Sequence, residues 1–178
     1  MSAKLFSVFL LASAGLLAGC ASHEAPVTGE GGAFTLASVS FPAGGQIPPG
    51  YTCDGVNISP ELSWRNVPPE ARSLALVLRD PDAPSGHFLH WAVLDIPPSA
   101  AGFAAGTRPK APARELANDA GTSGYTGPCP PSGSHRYVFT LYALDAAGIV
   151  PDGFTIEDSL SRHTLAKAVL TGTYQRTK

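Results

Sequence analysis

The sequence is poor in charge: Asp, Glu, Lys and Arg make up 15% of its 178 residues, and the formal net charge is -2. That balance offers no basic footprint for a phosphate backbone, so nucleic acid is excluded as a partner. Cysteine is scarce, with three in the chain. No two of them stand in a CxxC spacing and HExxH is missing, so neither a metal nor another cofactor is expected. There is no GxSxG elbow, no GxGxxG loop and no Walker loop, which removes one large hydrolase class and the usual nucleotide-binding classes. No apolar run reaches the about 20 residues of a comfortable membrane span. What is plentiful is glycine and proline, 19 and 17 residues. Together they are about a fifth of the chain, a level that means many turns and stops short of disorder.

The first residues read as an export leader. Met1 to Lys4 form a short basic start, an apolar run follows from Leu5 to Leu17, and small residues close the segment; this is signal-peptide logic. The ending Leu17, Ala18, Gly19, Cys20 resembles a bacterial lipobox, which implies a signal peptide over 1–19 and a lipidated Cys20 as the membrane anchor. By resemblance to Gram-negative lipoprotein sorting, Ala21 instead of Asp favours the outer membrane, facing the periplasm. Residues 20–33 then form the lipidated cysteine and a Gly-rich tether, and 34–178 form one domain of ordinary size. With Cys20 committed to lipid, Cys53 and Cys129 remain as a pair in an exported chain. A disulfide between them is the favoured reading, worth roughly 3 to 5 kcal/mol by loop closure. Two buried free thiols are the alternative.

Within the domain, FTLASVSF (34–41), SLALVLRD (73–80), HFLHWAVLDI (87–96) and RYVFTLYALD (136–145) read as strands. The last has apolar residues on both faces, as a strand covered on both sides should. Ala111 to Asn118 is a short helical candidate. TIEDSLSRHTLAKAVL (155–170) is predicted as the C-terminal helix, capped by Thr155 or Asp158 and stopped by Gly172. The expected fold is mainly β, a Greek-key β-sandwich with a short C-terminal α-helix and long ordered loops.

Two stretches carry candidate chemistry. In DPDAPSGHFLHW (80–91), Asp80 sits at a strand end and aims at the loop rim, whereas Asp82 is expected to satisfy turn amides. His87 and His90 are an odd number of residues apart, so on a regular strand they face opposite sides. His87 belongs to the loop. In YTGPCPPSGSHRYVF (125–139), the prolines stiffen a loop, and His135 and Tyr137 share a strand face while Arg136 points away. Two imidazoles and a phenol can donate to phosphate or carboxylate, and Asp80 can hold one imidazole in the donor state. An enzyme would have to rest on Asp80, His90 and His135 meeting in space with no nucleophile motif; a non-enzymatic anion pocket fits better.

These residues resemble the phosphatidylethanolamine-binding protein family. DPDAP with HW at 90–91 and GPCPPSGSHRYVFTLYALD at 127–145 look like its two signature regions. CDGVNISPELSW (53–64) and VPPEARSLALVL (67–78) resemble its bacterial, Raf-kinase-inhibitor-like branch. The likeness covers about residues 35–174. It implies a β-sandwich with a small anion cavity lined by Asp80, His90, His135 and Tyr137, with Pro84, Gly127 and Pro128 at the rim and Asp82 and Trp91 in support. Phe88 and Leu89 stand where eukaryotic members often carry Trp and His, so the mouth is expected to be more apolar. The chain also ends soon after Tyr174, where mammalian members continue into an extra helix; on these two departures, their kinase regulation and tight phospholipid binding are not expected to transfer. By the same resemblance, pairing as a homodimer is implied. A modulator that docks a protein partner through the proline-rich loops 42–50 and 128–131 is the second function class. A small-ester or phosphate hydrolase is the third.

Overall fold

The computed structural model describes residue 1 and residues 32–153 and 155–176. The leader 1–19, Cys20 and most of the tether lie outside the described residues. The domain is built from two antiparallel sheets. One has three strands in the order β1 (Thr35–Ala37), β2 (Leu62–Arg65), β5 (Gly102–Phe103). The other has five, in the order β6 (Arg114–Glu115), β4 (Phe88–Ile96), β3 (Ser73–Asp80), β7 (Ser134–Leu144), β8 (Thr164–Gln175). One short helix, α1 (Ile156–Ser161), precedes β8.

Strand alternation explains the layers. Leu74, Leu76 and Leu78 of β3 pack with Phe139 and Leu141 of β7 against Leu62 and Trp64 of the smaller sheet. Ala75 and Val77 face the other way, onto Ile156 and Leu160 of α1 and Leu94 and Tyr142 of the same sheet. The large sheet is thus buried on both faces, as the two-sided apolar pattern of β3 and β7 requires. Each fully buried Leu contributes about 1.5–3 kcal/mol by leaving water.

Two helix expectations are corrected. Over 155–170 the helix ends at Ser161, and β8 begins at Thr164. Leu165 and Val169, which at helical spacing would join Leu160 in an apolar stripe, are exposed, whereas Ala168, Leu170, Gly172 and Tyr174 point inward at period two. Gly172 does not stop a helix. It pairs with Tyr137 inside the sheet, and a Cβ there would lie 2.6 Å from Ile47 Cγ1 and 2.8 Å from Phe41 Cε2. The cap itself is a reciprocal box: Thr155 Oγ1 accepts from the Asp158 amide, and Asp158 accepts from the Thr155 amide. The second helix expectation, Ala111 to Asn118, also fails. Glu115 and Arg114 pair with Val93 and Leu94 of β4, and the Leu116 amide continues that ladder to the Ala92 carbonyl.

The two spare cysteines are bonded. Cys53 and Cys129 form a disulfide with Cα atoms 5.4 Å apart, tying the 49–57 loop to the loop before β7.

Candidate functional site

At one end of the large sheet, a cavity of about 230 Å³ opens between the β3–β4 turn and the loop before β7. Asp80, Ala83, Pro84 and Phe88 line one side, with His90 and His135 at the base. Thr126, Gly127, Cys129 and Pro131 form the opposite wall.

His90 reaches this cavity through an irregularity. Leu78 pairs with Trp91 and Arg79 with Leu89, so His90 is the additional residue of a β-bulge. A bulge re-aims side chains and is frequent beside functional sites. It lets Phe88 and His90 line the cavity while Trp91 stays in the core on the same side of the sheet. His87 lies on the opposite side, beside Arg79 and Asp119 in a separate depression.

Both imidazoles are locked at one nitrogen. The buried His135 gives its Nδ1–H to Asp80 Oδ2 at 2.7 Å, and His90 gives its Nδ1–H to the Thr126 carbonyl at 2.7 Å. Because a carboxylate and a carbonyl only accept, each Nδ1 carries the hydrogen. Each Nε2 is then left without a protein partner, and neither is among the sealed, unpartnered polar atoms of the described residues. The two Nε2 atoms are therefore the polar groups this base offers to a ligand. Burial lowers the His90 pKa below its usual 6.5, so that ring is neutral near pH 7 and its Nε2 is an acceptor.

Asp80 is spent on positioning. Its Oδ1 accepts from the Asp82 amide at 2.8 Å while Oδ2 holds His135. The turn-amide role expected of Asp82 thus falls to Asp80. Asp82 instead takes the backbone amide, Nε and NH2 of Arg136. Those bonds pull its carboxyl pKa down to about 2 and pin the start of β7 to the β3–β4 turn.

The other candidates take different places. Pro84 and Gly127 line the cavity. Pro128 does not: its carbonyl accepts from the Cys53 amide. Tyr137 also lies off the lining, fully buried behind His90, with ring centroids 5.3 Å apart in a T-shaped contact. Its hydroxyl is the one sealed side-chain polar atom without a partner among the described residues. Burial, with the Asp80 charge next, pushes its pKa well up and keeps it protonated. Trp91 is core, and its Nε1 donates to Glu115 Oε1 at 2.9 Å.

Sequence reasoning missed Asn118. Its Nδ2 donates to Thr126 Oγ1, Gly124 O and His90 O, and its Oδ1 accepts from the amides of Ala120 and Thr122. It was placed in a helix, and its partners are mostly loop backbone. Gly127 approaches so closely that a Cβ would lie 2.4 Å from Asn57 Oδ1, which already accepts the Gly127 amide at 2.9 Å. Among the described residues, no three His, Cys, Asp or Glu side chains converge in a way that would hold a metal.

A family model described as Phosphatidylethanolamine-binding protein matches residues 37–175. That match spans both sheets of the sandwich, and the chain belongs to this family, in its bacterial branch. It is 49% identical over 151 residues to a UPF0098 protein of Methanothermobacter thermautotrophicus, a match spanning 80% of this chain and 99% of that protein. It is 40% identical over 147 residues to a Mycobacterium tuberculosis protein bearing the lipoprotein name LppC, covering 80% of this chain and 72% of that one. Among solved structures it resembles Escherichia coli YbcL, described as a new member of the mammalian PEBP family. The TM-score is 0.75 at 30% identity, over 82% of this chain and 100% of that one.

Proposed function

We propose that this chain is a non-enzymatic binding protein of the bacterial envelope whose cavity takes a small phosphate-bearing or carboxylate ligand. The carrying observation is the pair of imidazoles, each fixed at Nδ1 and each with Nε2 free at the base of a cavity with an apolar rim. Protein groups that hold the rings in place before a ligand arrives lower the ordering cost of binding. A monoprotonated phosphate suits His90, since its hydroxyl can donate to the Nε2 of that neutral ring. A binding role is further supported by the wall. Thr126 Oγ1 accepts from Asn118 and Cys129 is bonded to Cys53, so neither is poised as a nucleophile. Location in the envelope rests on the leader and lipobox, with the lipoprotein name of a relative in support.

Calorimetric titration with phosphate, phosphoethanolamine and acetate tests the reading. Saturable binding is expected for the wild type, and about tenfold or greater weakening for His90→Ala and His135→Ala with circular dichroism unchanged. Identical heats in wild type and variants would overturn it.

A further inference from the structure

The wall from Gly127 to Pro131 is held almost entirely by another part of the chain. Pro128, Pro130 and Pro131 have no N–H to donate, so the segment has few means of fastening itself. What holds it is the 49–57 loop, through three polar contacts and one covalent bond. Gly127 N–H donates to Asn57, the Pro128 carbonyl accepts from the Cys53 amide, and the neighbouring Tyr125 hydroxyl donates to the Tyr51 carbonyl. The covalent tie is Cys53–Cys129, and Cys129 itself lines the cavity. Both cysteines are exposed. The bond therefore combines reach from solvent with a place on the ligand wall, whereas a disulfide kept purely for stability has no need of either.

We infer that the Cys53–Cys129 bond is a redox control on the cavity, holding the Gly127–Pro131 wall in its binding shape when formed and releasing it when reduced. The inference rests on the anion-binding reading above. A dithiol is the co-reactant. One of its thiolates attacks a sulfur of the bridge, the S–S bond breaks, and the other cysteine leaves as a thiolate that takes a proton from water. The second thiol of the dithiol then displaces the mixed disulfide. Two electrons pass to the protein, leaving two cysteine thiols and an oxidised reductant. Only the wall should loosen, because β3, β4, β7 and β8 pair with one another independently of the bridge. Thr126 stays tied to the His90 carbonyl through its amide.

The test titrates inorganic phosphate into the full chain with the bond intact, after dithiothreitol treatment, and after re-oxidation, with a Cys53→Ser/Cys129→Ser variant alongside. Alkylation and mass measurement verify the bond in each sample. The expected result is about tenfold weaker binding in the reduced chain and the variant, unchanged far-ultraviolet circular dichroism, and recovery on re-oxidation. Equal affinity with the bond verified open overturns redox control and leaves the anion-binding reading intact. Loss of the sandwich signal on reduction overturns it as well, since the bond would then be a staple of the whole fold. Failure of every form to bind phosphate overturns redox control, and the phosphoethanolamine and acetate titrations described above decide separately whether the binding reading stands.

Discussion

Two residues show how differently polar groups behave once buried. His90 is neutral in the fold because burial disfavours its charged form, while the unfolded chain titrates near 6.5. Below 6.5 the unfolded state therefore binds more protons, and stability falls as pH drops toward the lower folded value. Denaturant titrations at pH 7 and pH 5.5 should show that fall in the wild type and a flatter response in His90→Gln, whose amide can still donate to Thr126. Asn118 presents the opposite case, a neutral hub with all its capacity used. Asn118→Ala should cost about 2–3 kcal/mol in a denaturant midpoint experiment, because it strands several loop groups at once. The ionisable half of the site was legible in the sequence: Asp80, His90 and His135 stand at strand ends or in conspicuous loops. Asn118 was not, since a residue whose partners are backbone atoms leaves no pattern in side-chain type. Nor was the bulge at His90, which depends on how two strands pair and not on either one alone.

At the scale of elements, β3, β4 and β7 were legible because long apolar runs with turn signals at their ends admit few other readings. β8 was not, because Leu165 and Val169 imitate a helical stripe and Gly172 imitates a helix stop. What decides the matter is tertiary: the inward set Ala168, Leu170, Gly172 and Tyr174 finds a partner strand and a covering sheet, which outweighs local helix preference. Gly172→Ala makes this measurable. The added methyl would press on the side chains of Ile47 and Phe41 inside the sandwich, so a loss of about 1–3 kcal/mol is expected in thermal or denaturant unfolding. An unchanged midpoint would mean that the 41–47 segment gives way easily.

At the scale of the whole molecule, the proposed leader and lipid anchor lie outside the described residues, and one experiment addresses them. Cys20→Ser should move the protein from the membrane fraction to the soluble fraction, as read by fractionation and immunoblot. Retention in the membrane would refute the lipid anchor. Among the described residues no helix is long and apolar enough to cross a membrane. Within the domain, the Asp80–His135 contact joins residues 55 positions apart, and it forms where β3 meets β7. The β3–β4 and β7–β8 pairs join strands that are near neighbours in sequence, whereas β3 must wait for β7 across a long intervening stretch. Non-local pairing of this kind is the slow part of building a β-protein. The cavity at that junction is therefore expected to take shape late in folding, once both halves of the large sheet have found each other.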